Sequence, residues 1–173
     1  SNIIFNTYSI AMLLIIYFHA LKLFDRELLS VRLNMSILQI TIFMLIVDIL
    51  SRFDGNASTV IYPVLNHIGN FVIFMMSPVL TSLWVAYVHY QVFRDERRVK
   101  KLRLPLCIII AINAAGVILS QFFGWYYYID SDNIFHRGLL YPVPVFITVM
   151  LIFAAFMIIV INRRKLGDKV ISL

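Results

Sequence analysis

The sequence predicts an all-α integral membrane protein: a five-transmembrane-helix bundle with its N-terminus outside and its C-terminus in the cytoplasm. Three observations carry that prediction. Of the 173 residues, 61% are hydrophobic and 14% charged, and the mean hydropathy is +0.88, whereas an ordinary soluble domain is about 45–50% apolar. The apolar residues form five long runs, each sufficient for the roughly 20 helical residues that cross a hydrocarbon core of about 30 Å. Thirteen of the fifteen Lys and Arg residues fall in three short clusters beside those runs: 21–32 with Lys22, Arg26 and Arg32, 94–103 with six, and 163–169 with four. Basic loops stay on the cytoplasmic side, so the clusters set topology and orientation together. Helices are the expected spanning form, because each backbone must satisfy its own hydrogen bonds in lipid.

The elements follow in order. Span one covers about 3–24. It lacks a basic n-region and a small-residue cleavage site, so it reads as a retained helix and not a signal peptide; Ser1-Asn2 reads as a cloning remnant. Span two covers about 30–52 and stops before Asp54-Gly55-Asn56, a turn signal. Span three covers about 60–93, with Pro63 suited to its first turn and Ser77-Pro78 expected to kink it near mid-membrane. Span four covers about 104–124, with Pro105 at its start and Gly124 at its end. Span five covers about 138–162, with Pro142 and Pro144 near its opening turns. Residues 1–173 thus read as a single transmembrane domain.

The two external loops differ. Loop 54–60 is short, whereas 124–137 (GWYYYIDSDNIFHR) is long, aromatic and polar. Trp125 to Ile129 favour extended backbone, Asp130 to Asn133 are turn chemistry, and Ile134 to Arg137 can pair back. A small extracellular hairpin-like loop between helices 4 and 5 is expected; the competing reading is an interfacial aromatic belt over a solvated loop.

Polar groups inside a bilayer are costly and normally face the bundle interior. Asp48 is the most expensive, about one turn from the outer end of span two. Arg52 follows it by four positions, so a local ion pair competes with an acid aimed into an outward cavity. Asn66 and Asn70 share a face of span three, near His67, and Asn113, Ser120 and Gln121 share a broad face of span four. For each amide, interhelical bonding competes with ligand contact. Gly116 and Ala115 would let helices approach closely. Trp125, Tyr126 and Tyr141 would wall or cover the outer mouth, and His136 and Arg137 would close the hairpin or meet an anionic group.

Several chemistries are disfavoured. The net charge of +6 is accounted for by the positive-inside pattern and not by a nucleic-acid face. Cys107 is the only cysteine, so no internal disulfide is available. No zinc, nucleophile-elbow or phosphate-loop motif occurs, and no metal or cofactor is called for. His19 and His89 lie at the comparable depth a bis-histidine haem would need, but interfacial histidines are commoner. An intramembrane enzyme would need Asp48 and His67 as an acid–base pair. A transporter would show inverted repeats, and five spans do not divide into equal halves.

The segment 122–144 (FFGWYYYIDSDNIFHRGLLYPVP) resembles the N-terminal multi-spanning membrane sensor regions of Firmicutes GGDEF-type (diguanylate cyclase) signalling proteins. Asp130, Asn133, His136, Arg137 and Gly138 match that pattern; Phe135 holds the aromatic position, and Leu139 stands where proline is usual. Asp48, Asn66, Asn70, Trp84 and Tyr87 are also similar. The resemblance implies a bacterial inner-membrane receptor module, homodimeric in the full-length receptor, with a cyclase output beyond this chain, which has no GGDEF signature itself. The expectation is therefore a non-enzymatic sensor binding an extracellular small molecule through Asp48, Asn66, Asn70, Asn113, Trp125, Tyr126, His136, Arg137 and Tyr141. Ser77-Pro78 would flex and span five would transmit. A transporter component is the main alternative.

Overall fold

A computed structural model of the protein describes residues 2–23, 28–52 and 61–163. It contains helices α1 (Asn2–Leu23), α2 (Leu29–Leu50), α3 (Ile61–Phe93), α4 (Glu96–Phe123) and α5 (Pro142–Ile161), with strands β1 (Tyr127–Ile129) and β2 (Phe135–Arg137) between the last two helices. All five helices are long and apolar enough to cross a membrane. Their outer faces carry large side chains such as Ile4, Leu104 and Phe122, each 70% or more exposed. Surfaces so continuously apolar suit lipid and not water.

The central helix is α3, packed against α2, α4 and α5, while α1 lies at the edge against α2. Close contact on the α2 side is permitted by Gly69, where a Cβ would come within 2.6 Å of Ser51 Cβ. One packed cluster, Val85 with Leu151 and Ala155, joins α3 to α5; another, Val117 with Tyr126 and Tyr127, lies beneath the strands. The described members of the basic clusters gather at the end opposite the strands: Lys22 ends α1, Arg32 opens α2, and Arg94 to Arg103 form the α3–α4 corner.

Two expected boundaries change. The basic segment is not a loop, because α4 begins at Glu96, eight residues before the expected start at 104. Its start is capped by Asp95, whose Oδ1 accepts from Arg97 N at 2.8 Å, and Arg94 turns the chain with φ 51°. Pro105 consequently sits inside the helix. At the other end, α5 starts at Pro142 and not 138, since residues 139–141 form a turn closed by Tyr141 N to Gly138 O at 3.2 Å. The third span keeps its expected bounds: α3 runs from Ile61 to Phe93 with Pro78 inside it. The expected turn at Asp54 to Asn56, Arg26 and the tail beyond Arg163 lie outside the described residues.

Candidate functional site

The hairpin that closes one end of the bundle is built by its own turn chemistry and by two anchors beneath it. Asp130 organises the turn: its Oδ1 accepts from Asp132 N at 3.0 Å and Ile134 N at 2.9 Å, and its Oδ2 meets His136 Nε2 at 2.7 Å. The Ile134 amide, more than the histidine, holds the Asp130 carboxyl below its ordinary pKa. Asn133 adopts the left-handed conformation (φ 61°) that short amide side chains tolerate. Pairing is Tyr127 to Arg137, Tyr128 to His136 and Ile129 to Phe135. Alternation puts Tyr127 and Phe135 inward and leaves Tyr128 and His136 stacked outside, ring centroids 5.0 Å apart.

The first anchor is α4. Ser120 Oγ accepts from Tyr126 N at 2.9 Å and Tyr127 N at 3.2 Å, and Gln121 Nε2 donates to the Tyr127 hydroxyl at 3.1 Å. Burial raises the Tyr127 pKa, partly offset by that bond. Gly116 provides room for Tyr126: a Cβ there would lie 2.6 Å from Tyr126 Cζ. The close approach made possible by Gly116 is therefore to an aromatic ring of the hairpin. The second anchor is α3. Asn66, fully buried, donates to Asn133 O at 3.1 Å and Asn133 Oδ1 at 2.9 Å, and Asn70 donates to Asn66 Oδ1 at 2.7 Å. Phe74 stacks on Tyr127 with centroids 5.0 Å apart.

Beside this hairpin opens a cavity of about 710 Å³. Its polar wall is Asp48 from α2, Ser51 and Arg52 just after that helix, Asn70 from α3, Arg137 from the hairpin and Tyr141 just before α5. Ile3, Ile73, Phe74 and Phe135 supply the apolar wall. Asp48 is already engaged: Asn6 Nδ2 donates to its Oδ2 at 2.6 Å, and Arg52 donates through Nε at 3.0 Å. The local ion pair is thus present within the cavity, so the two readings of Asp48 coincide in space. Arg137 instead lies over the Tyr141 ring, 4.9 Å from its centroid.

Of the nine residues expected at the site, the fold brings Asp48, Asn70, Arg137 and Tyr141 together around the cavity. Asn66 and Tyr126 are buried supports of the hairpin, and His136 is on its outer face. Trp125 stacks on Phe123 with centroids 5.1 Å apart and does not line the cavity. Asn113 is fully buried against α3, donating to Phe74 O at 2.9 Å. Comparison with protein-family models, curated proteins and solved structures returns no match. The site therefore rests on its own geometry. Sequence reasoning missed Asn6, whose signal was available: an amide in an otherwise apolar run needs a partner. The packing role of Phe74 carried no such signal. Elsewhere, His19 is exposed and His89 packs on Phe93 with ring centroids 4.6 Å apart. Among the described residues no group of three His, Cys, Asp or Glu side chains could hold a metal ion.

Proposed function

We propose that the chain is the ligand-sensing transmembrane domain of a bacterial signalling receptor in the cytoplasmic membrane, and that its cavity faces outward and takes an extracellular small molecule. The cavity carries this reading: its 710 Å³ falls within the roughly 300–1,000 Å³ of ordinary ligand pockets. Its walls come from α1, α2, α3, the hairpin and the residue that leads into α5, so an occupant would touch elements that are otherwise joined mainly through α3. Such a ligand changes the state of the bundle only through different affinities for two arrangements of those elements. The proposed orientation is supported by the basic residues gathered at the opposite end, since basic loops tend to stay on the cytoplasmic side. The resemblance noted for 122–144 supplies the output: a cytoplasmic diguanylate cyclase in a homodimeric receptor, with α5 as the transmitting helix.

A thermal-shift screen of the purified protein in neutral detergent against a metabolite library tests the reading, since ligands of the folded form raise the melting temperature by mass action. A saturable hit without flux in proteoliposomes supports a sensor. Ligand-dependent flux would overturn it in favour of a transporter component, and turnover of the bound compound in favour of an enzyme.

A further inference from the structure

We infer that the cavity takes an organic anion, with a carboxylate or phosphate held against Arg137 and an apolar, preferably aromatic, body laid on Phe74 and Phe135. This rests on the receptor reading of the cavity and narrows it to a chemical class. The charges around the wall decide the sign. Among the described residues Asp48 is the one carboxylate lining the cavity, against two guanidinium groups, Arg52 and Arg137, so the described lining carries a net +1. Asp48 and Arg52 neutralise each other at 3.0 Å, and Asn6 occupies a carboxylate oxygen of the pair. Of the hairpin's two acids, Asp130 is held by His136 and two backbone amides, and Asp132 does not line the cavity. Arg137 thus faces the cavity with an aromatic ring and without a carboxylate partner among the described residues.

Stacking on Tyr141 limits the freedom of the guanidinium while leaving its edge donors open, the arrangement that suits bidentate recognition of a carboxylate or phosphate. The N-terminus of α5 begins at the next residue with no acid in its first turn, and its dipole adds potential of the same sign. A cationic ligand would meet repulsion from both. On the same side lie Phe74, whose ring meets Tyr141 edge-on with centroids 5.9 Å apart, and Phe135, two positions before Arg137 on β2; the two phenyl rings are themselves stacked with centroids 6.5 Å apart. A second crevice of about 250 Å³ along the α3–α5 seam shares Ile73, Phe74 and Tyr141 with the cavity, so an apolar body has space to continue beyond the charged mouth. A free metabolite and an anionic lipid headgroup both present this chemistry.

The test uses the full chain, with R137Q and R137K, and four matched probes: phenylacetate, phenyl phosphate, phenylacetamide and phenethylamine. Binding is read by calorimetry and thermal shift in neutral detergent, and stability is compared in phosphatidylcholine nanodiscs with and without phosphatidylglycerol. Saturable binding of phenylacetate or phenyl phosphate, weakened about tenfold or more in R137Q as expected for a charge-assisted contact and partly restored in R137K, supports the inference with a free anion as ligand. Stabilisation only by phosphatidylglycerol, lost in R137Q and kept in R137K, supports it with a lipid phosphate as the source. Binding of the amide or amine probe that persists in R137Q overturns the anion assignment while leaving a receptor cavity standing. No response to any anion, free or lipid, from folded protein also overturns it; the receptor reading falls as well only if the unbiased library yields no ligand.

Discussion

Pro78 lacks the amide that would bond to the carbonyl of Phe74 one turn earlier, and the Asn113 side chain of α4 donates to that carbonyl at 2.9 Å. In a membrane interior a neighbouring helix is one of the few sources of such a replacement donor. The pair can be tested by a double-mutant cycle of P78A and N113L. Losing an interhelical hydrogen bond in a membrane costs about 0.6 kcal/mol on average and up to about 1.7, and an orphaned carbonyl adds about 1–3 kcal/mol. The substitution also removes Asn113 Oδ1, which is buried without a hydrogen-bond partner, and relief of that desolvation offsets about 1 kcal/mol. N113L alone is therefore expected to cost about 1–3 kcal/mol, or roughly 2–12 °C at the sensitivity of a chain of this size. In P78A the restored amide satisfies the Phe74 carbonyl, and N113L should then cost less than about 0.5 kcal/mol. Thermal unfolding of the four proteins in neutral detergent, followed by intrinsic fluorescence, gives the coupling. Additive effects within about 0.5 kcal/mol would refute the exchange of donors and return Asn113 to the set of candidate ligand contacts.

Other expectations follow from the same geometry. N66A removes the bonds to Asn133, worth about 1 kcal/mol each, so hydrogen exchange in the 124–141 peptide should accelerate about tenfold or more; unchanged protection would mean that the amide does not hold the hairpin. For D48N, the pair with Arg52 is partly open (Arg52 41% and Asp48 30% exposed), so the stability cost should stay near or below about 1 kcal/mol. The described lining then carries +2, and phenylacetate should bind at least as tightly; a clear loss of affinity would show that Asp48 itself contacts the ligand. Asp130 has its pKa lowered by the Ile134 amide and then by His136. Its contribution to hairpin order is therefore present above its ordinary pKa of 3.8 and is lost as pH falls through the lower folded value. Hairpin protection in wild type, compared with D130N across acidic pH, should show that loss in wild type alone. G116A overpacks the site against Tyr126 and should cost about 1–3 kcal/mol, read as a lower melting temperature.

Much of the hairpin was legible in advance, since its turn is written in adjacent residues. Asp130 and Asn133 act through their own backbone neighbours, and the aromatic strand pairs with the segment immediately following it. The start of α4 was misplaced for a related reason: a run of basic residues reads as a loop, yet Asp95 caps it and Arg and Lys are good helix formers. The candidate site was only partly legible. Asn66, Asn70 and Asn113 look alike along the chain, as amides in apolar helices. Their roles differ because of partners 67, 4 and 39 positions away.

The sequence by itself determined the five apolar helices, the segregation of charge between their ends and the local hairpin, because hydropathy, helix length and turn chemistry act over short stretches of chain. Only the tertiary structure decided which polar groups are satisfied and which remain available. Asn66 is used up holding Asn133, Asn113 in replacing the amide missing at Pro78, and Asp48 in binding Asn6 and Arg52. Arg137 is left beside the cavity with a ring for a neighbour. That division depends on how helices distant in sequence meet, since the desolvation of a polar group is set by the partner that packing brings within hydrogen-bonding distance.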